Sequence, residues 1–135
     1  MTTAVKDLRG ATPDIVAKLK EKGITDNEHL IEAAATPAQR KELAALCGCE
    51  TRTILELANR ADLARIKGIS GVYSDLLEKA GVDTVKELAT RRADNLHAKM
   101  TETNAAEQVT KQPPSAGMVE SWVQQAKDLP KTLTY

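Results

Sequence analysis

The stretch "IKGISGVYSDLLEKAGVDTVKEL", Ile66–Leu88, has an earlier partner in "LRGATPDIVAKLKEKGITDNEHL", Leu8–Leu30. The two overlay without a gap. Gly10 falls on Gly68, Leu19 on Leu77, Gly23 on Gly81, Ile24 on Val82 and Leu30 on Leu88, a constant offset of 58 residues. Self-similarity at a fixed offset is the mark of a duplicated supersecondary unit.

Each copy reads as short helices joined at glycine corners. A first helical turn ends at Gly10 or Gly68, because glycine tolerates a positive φ. Thr12 then caps a helix that has Pro13 at its first position, and Ser70 or Gly71 takes that role in the second copy. Ile15, Val16 and Leu19 make an apolar stripe, as do Val72, Leu76, Leu77 and Ala80. Gly23 and Gly81 stand where a helix is closed by glycine, and Ile24 and Val82 pin the exit. The next helix is expected to start at Thr25, with Glu28 completing a capping box. Asp83 takes the place of Thr25, without the box.

The remainder of each copy is helical as well. Thr36-Pro37-Ala38-Gln39 is an N-terminal signature for a helix that runs to Leu46 or Cys47 and stops at Gly48. Ile54, Leu57, Ala58 and Ala61 lie at core spacing on the helix after it. In the second half a helix begins at Ala93 and extends toward Val109, and Gln112-Pro113-Pro114-Ser115 breaks it. Ser115 caps a last helix with Val119, Trp122, Val123, Ala126 and Leu129 on one face, ended by Pro130. These last stripes correspond at an offset of 65 residues, Ile54 on Val119 through Ala61 on Ala126, so the second copy has gained residues near the Pro-Pro loop. No stretch reads as a strand. The segment "LPKTLTY", Leu129–Tyr135, suits either docking on the body or meeting a partner.

The fold class is therefore all-α, with two pseudo-symmetric halves, residues 1–65 and 66–135. A half of this size makes a marginal core alone, so the halves are expected to share one, packed as a compact helical domain. Composition agrees. Of the 135 residues 41% are hydrophobic but only 2% aromatic, with no Phe. Such a core is built from Leu, Ile, Val and Ala, which suits packed helices better than a sheet sandwich. No apolar run approaches the roughly 20 residues that cross a bilayer, and the N-terminal residues lack a signal-peptide core. The expected location is the cytoplasm, with no membrane partner. Oligomeric state is left open.

"IKGISGVYSDLLEKAGV", Ile66–Val82, resembles the helix-hairpin-helix motif of DNA repair and recombination proteins: apolar, any residue, Gly, apolar, any residue, Gly, then an amphipathic helix closed by glycine. The whole chain is similar to a bacterial family of unknown function built on tandem units of this kind. The stretch Ile66–Met100 carries that likeness most clearly. The resemblance implies a fold with a helix-hairpin-helix in each half. It implies no particular activity.

In DNA-binding members of the motif, hairpin amides and the N-terminus of the following helix hold a backbone phosphate. Such contacts ignore base identity. Carried over, the implied nucleic-acid-binding residues are Gly68, Ile69, Ser70 and Gly71, with Lys67 and Lys79 as nearby cations. In the first copy they are Gly10, Ala11 and Thr12, with Arg9 and Lys18. Arg91 and Arg92 follow the second hairpin within a basic run that includes Lys86 and Lys99. The partner implied is the backbone of double-stranded DNA.

Several features weigh toward the alternative, an interaction or scaffold module whose partner is an unidentified protein. Pro13 removes an amide from the first hairpin. Val72-Tyr73-Ser74 stands where DNA-binding hairpins usually offer Lys or Arg, and Asp75 and Glu78 share that helix. The chain carries 19 basic and 19 acidic residues, ten of each in residues 1–65 and nine of each in 66–135. Neither half is a basic domain, and phosphate affinity comes largely from Lys and Arg. Only Trp122, Tyr73 and Tyr135 could stack on bases, and Trp122 lies on a core stripe.

An enzyme is not expected. No Ser/His/Asp or Cys/His arrangement and no phosphate-binding loop with its lysine is signalled. His29 and His97 read as surface or boundary residues. Cys47 and Cys49 are expected to be reduced thiols, one a small hydrophobe and one at a turn. Their spacing, with His29 and His97, lacks the paired pattern of a metal site. No cofactor is expected.

Overall fold

The computed structural model describes residues 2–135, and it is all-helical. Eight α-helices are present among the described residues, and the one β pairing is a bridge between Ala4 and Asp26. No helix is long and apolar enough to cross a membrane. The chain divides into two units. One runs up to Arg65 and takes in Thr132–Tyr135, and the other is Ile66–Lys131.

The first unit holds a 3-10 turn, Val5–Asp7, and helices α1 (Pro13–Glu21), α2 (Asn27–Ala33), α3 (Pro37–Cys47) and α4 (Thr51–Leu63). α2 and α3 both pack on α4, and α1 packs on α3. Leu19, Leu30, Ile54, Leu57, Ala58 and Ala61 are buried at the centre. Thr12 caps α1 by accepting from the Ile15 amide, with Pro13 at the first position as expected. Thr36 and Gln39 form a complete capping box on α3, which ends at Gly48 in the left-handed conformation.

α2 begins one residue later than the sequence suggests. Asp26, and not Thr25, caps it by accepting from the His29 amide at 2.8 Å. The carboxylate's charge also suits the helix N-terminus. The Thr25 hydroxyl instead lies 3.5 Å from His29 Nδ1. Asn27 then occupies a fully buried position. Its Oδ1 accepts from the Thr3 amide at 2.7 Å, its own amide donates to the Thr3 carbonyl at 2.8 Å, and its Nδ2 donates to the Ala61 carbonyl at 3.2 Å.

The second unit holds α5 (Gly71–Lys79), α6 (Val85–Thr90), α7 (Ala93–Glu107) and α8 (Ala116–Asp128). α6 and α7 pack on α8, and α5 packs on α7. Leu76, Leu77, Leu88, Met100, Val119 and Trp122 are buried. Ser115 caps α8 by accepting from the Met118 amide. Thr84, and not Asp83, caps α6 by accepting from the Glu87 amide. α7 stops before the Pro-Pro loop, at Gln108, whose φ is +51°. Asn104 fixes that turn, exchanging two side-chain hydrogen bonds with the backbone of Thr110.

α1 and α5 end in the same bond pattern. Gly23 and Gly81 have φ of +76° and +97°. Their amides donate to the carbonyls of Lys20 and Glu78, and the next amides, of Ile24 and Val82, reach back to Leu19 and Leu77. This is the Schellman closure, and the residue after each glycine, Ile24 or Val82, is buried.

The last four residues belong to the first unit, whereas the sequence placed them in the second half. Leu133 joins the apolar core of α1–α4, and Thr134 hydrogen-bonds Ala35. An extended segment with unpaired main-chain groups docks where such partners exist.

Candidate phosphate-binding hairpins

Both hairpin turns are closed by the same hydrogen bond. The Ala11 amide donates to the Leu8 carbonyl at 3.2 Å, and the Ile69 amide to the Ile66 carbonyl at 3.2 Å. Gly10 and Gly68 sit at φ of +90° and +99°, where only glycine is free of strain. Ile69 is buried and Ala11 is half-buried, so each turn is anchored on its own unit by the apolar residue after the glycine.

The second turn leads into α5 without a side-chain cap. Ser70 occupies the cap position but its hydroxyl accepts no helix amide. Among the described residues, the amides of Gly68, Ser70 and Gly71 donate to nothing. They sit at the positive end of α5, with Gly68 and Ser70 exposed. In the first turn Thr12 spends its hydroxyl on the Ile15 amide, at 3.3 Å, and Pro13 has no amide to offer.

α8 covers the other side of the second turn. Gln125 grips Lys67 at two points: the Lys67 amide donates to Oε1 at 2.9 Å, and Nε2 donates to the Lys67 carbonyl at 3.2 Å. Lys67 and Gly68 border an open groove of about 570 Å³ with Ser115, Gly117, Met118, Ser121, Trp122 and Gln125. No carboxylate lines it.

The cations are spread out. The Lys67 side chain is exposed beside the turn. Lys79 lies at the opposite end of α5, about 13 Å along a nine-residue helix, and pairs with Glu107 at 3.1 Å. Arg91 is also at that end. It donates to Glu87 at 2.8 Å and to the Gly81 carbonyl at 3.1 Å. Arg92 pairs with Asp94 at 3.1 Å. The Asn95 amide and then Arg92 hold the Asp94 carboxyl below its usual range. In the first unit Arg9 is exposed just before Gly10. Lys18 is exposed, and its charge acts on the Cys47 thiol.

Cys47 and Cys49 are free thiols, half-buried against the first core. Burial pushes the Cys47 thiol up, Cys49 adds to this, and Lys18 opposes it. Burial likewise raises Cys49, aided by Glu50. Both are protonated near neutral pH and poorly nucleophilic. Among the described residues no three His, Cys, Asp or Glu side chains gather as metal ligands. His97 Nε2 lies 3.2 Å from the Pro114 carbonyl, so it donates there and holds the Pro-Pro loop.

The sequence reading passed over Gln125 and Arg40. Gln125 gave no signal, being one polar residue on an amphipathic helix. Arg40 lay in a helix of unremarkable pattern, yet it is only 3% exposed.

The chain belongs to the family described as a domain of unknown function, DUF4332, whose model matches residues 9–129. No curated protein and no solved structure gives a match.

Proposed function

We propose that the chain is a non-enzymatic module of two helix-hairpin-helix units that binds duplex DNA weakly and without sequence preference, through backbone phosphate. The observation that carries this is the set of unpaired amides on Gly68, Ser70 and Gly71 at the uncapped start of α5. Amides and a helix N-terminus together favour an anion. Lys67 adds one exposed charge, and the adjoining groove carries no carboxylate. The matching turn bonds at Ala11 and Ile69, and the matching closures at Gly23 and Gly81, favour two copies of one unit. We place the module in the cytoplasm, where Cys47 and Cys49 stay reduced.

A second reading has its own support. Lys79, Arg91 and Arg92 are each engaged by a carboxylate, which leaves little net positive field around α5. That favours a protein-interaction module which keeps its hairpins as corners. The two readings separate in one experiment: anisotropy of labelled duplex DNA against the protein, from about 20 to 200 mM salt. Phosphate binding falls steeply over such a range. Micromolar binding at low salt, lost at high salt and equal for two unrelated duplexes, supports the first reading. No binding at the lowest salt supports the second.

A further inference from the structure

The segment Thr132–Tyr135 is held by the first unit in the manner of a bound peptide. Leu133 is 8% exposed and sits in the apolar core. The Thr134 amide donates to the Ala35 carbonyl at 2.7 Å, and its hydroxyl reaches the same oxygen at 3.1 Å. The Thr134 carbonyl accepts from Arg40 Nη2 at 2.6 Å. The Tyr135 ring lies 5.5 Å from the Arg40 guanidinium, and its hydroxyl donates to Asn59 Oδ1 at 3.0 Å. One residue is thus read by its side chain, the next by both main-chain groups, and the third by its ring.

Arg40 is central to this site. It is nearly fully buried, and no carboxylate pairs with it among the described residues. A buried guanidinium needs acceptors for its donors. Nη1 finds the Ala34 carbonyl at 2.9 Å. The second acceptor and the ring face both come from the docked segment. The α3 arginine therefore presents a donor aimed at a peptide carbonyl, and the end of α2 presents an acceptor aimed at a peptide amide. Leu133 enters the core beside them.

All of these receptor groups lie in residues 34–59, and residues 66–131 of the other unit lie between them and the docked segment in the sequence. Nothing in the contacts depends on the covalent route by which Leu133-Thr134-Tyr135 arrives. A second copy of the chain carries the same three residues and can make every one of these contacts.

We propose that the surface formed by Ala34, Ala35, Arg40 and Asn59 is a docking site for an extended peptide, and that the occupant from outside the chain is the Leu133-Thr134-Tyr135 segment of a second copy. Two chains meeting then exchange tails, with no change in the contacts each tail makes. The chain's own tail competes from a high effective concentration, so it must vacate before another enters.

The test uses a fluorescein-labelled peptide of sequence LPKTLTY and the 135-residue chain carrying Leu133→Asp, which keeps the receptor groups but cannot seat its own segment. Anisotropy should show saturable binding. The wild-type chain, with its site filled, should bind the peptide tenfold or more weakly. Adding Arg40→Leu to Leu133→Asp should abolish binding. Absence of binding to a Leu133→Asp chain that retains its helical circular dichroism overturns the proposal. So does equal binding by all three proteins. If Leu133→Asp unfolds, Thr134→Pro removes the docking amide without adding a charge and takes its place in the same comparison. If both variants lose helicity, the tail is a fixed part of the unit and the proposal fails.

Discussion

A Cβ built on Gly68 would stand 3.0 Å from Nε1 of the buried Trp122 ring. The turn and the core of the second unit are therefore in contact at a point where a side chain would push against the Trp122 ring. The backbone there has φ of +99° as well. Gly68→Ala meets both obstacles, and a non-glycine residue in such a conformation costs about 1–3 kcal/mol. Urea denaturation should show a loss of that size. Gly117→Ala is the control, because it lies in α8 with open space around it and no positive φ. It should be neutral or stabilising by up to about 1 kcal/mol.

Gly71 separates architecture from anion binding. It is the first residue of α5 and has no positive φ, so a side chain there meets no backbone strain. Aspartate there also suits the helix dipole. It would, however, set a carboxylate among the free amides. Gly71→Asp should keep the helical circular dichroism and melting temperature of the wild type while weakening duplex binding by about tenfold or more, equivalent to about 1.4 kcal/mol. Unchanged duplex binding would remove the hairpin from the interface.

Ser74 is buried, and its hydroxyl has no hydrogen-bond partner among the described residues. An unsatisfied buried hydroxyl costs free energy, and replacing it with an apolar group of similar size removes that cost. Ser74→Ala should leave the unit as stable as before or stabilise it by about 1 kcal/mol, measured by denaturant midpoint. A loss of more than that would reveal a partner for the hydroxyl.

The thiol of Cys47 offers a pH-dependent readout. Its pKa is raised by burial and by Cys49, against the pull of Lys18. Alkylation needs the thiolate, so labelling by iodoacetamide should be slower than for a free cysteine at pH 7.5, and should still be rising with pH where the rate of a free cysteine has levelled off. Lys18→Ala removes the one opposing charge. It should raise the thiol further and slow labelling at a given pH, which mass spectrometry of Cys47 peptides can follow in time.

The elements of this fold were legible because their signals are local. A threonine before Pro13 or Pro37, a glycine after an apolar stripe, and a serine before α8 each act within one turn of helix. The caps of α2 and α6 were misplaced by one residue, in the same sense, because Thr25 and Asp83 are cap residues too and cap chemistry alone does not choose: aspartate caps α2 and threonine caps α6. What selects between them is where the preceding chain is held: the Val5 amide donates to the Thr25 carbonyl, and no sequence window contains that pair. Gln125 and Arg40 escaped for the same reason. Their partners, Lys67 and Thr134, are 58 and 94 residues away. The expected cations of the second hairpin were near it in sequence, but α5 carries Lys79 and Arg91 to its far end.

Asn27 makes the most exacting of these long-range contacts. It is fully buried between the residues around Thr3 and the end of α4. Ala61 lies in the last turn of α4, where helix carbonyls have no helical donor, and the Nδ2 of Asn27 supplies one. Asn27→Ala would leave the Ala61 carbonyl and the Thr3 amide both unpaired, at about 1–3 kcal/mol for a group that stays dry. Asn27→Asp keeps the acceptor for Thr3 but loses the donor, and buries a charge facing a carbonyl. Its cost should exceed that of alanine at pH 7 and shrink as the pH falls and the carboxyl takes up a proton, because the protonated form restores a donor. Denaturant melts of both variants at pH 7 and pH 4 check this order. An Asn27→Asp chain as stable as wild type at pH 7 would mean that water reaches the site and that the Ala61 carbonyl does not depend on Asn27.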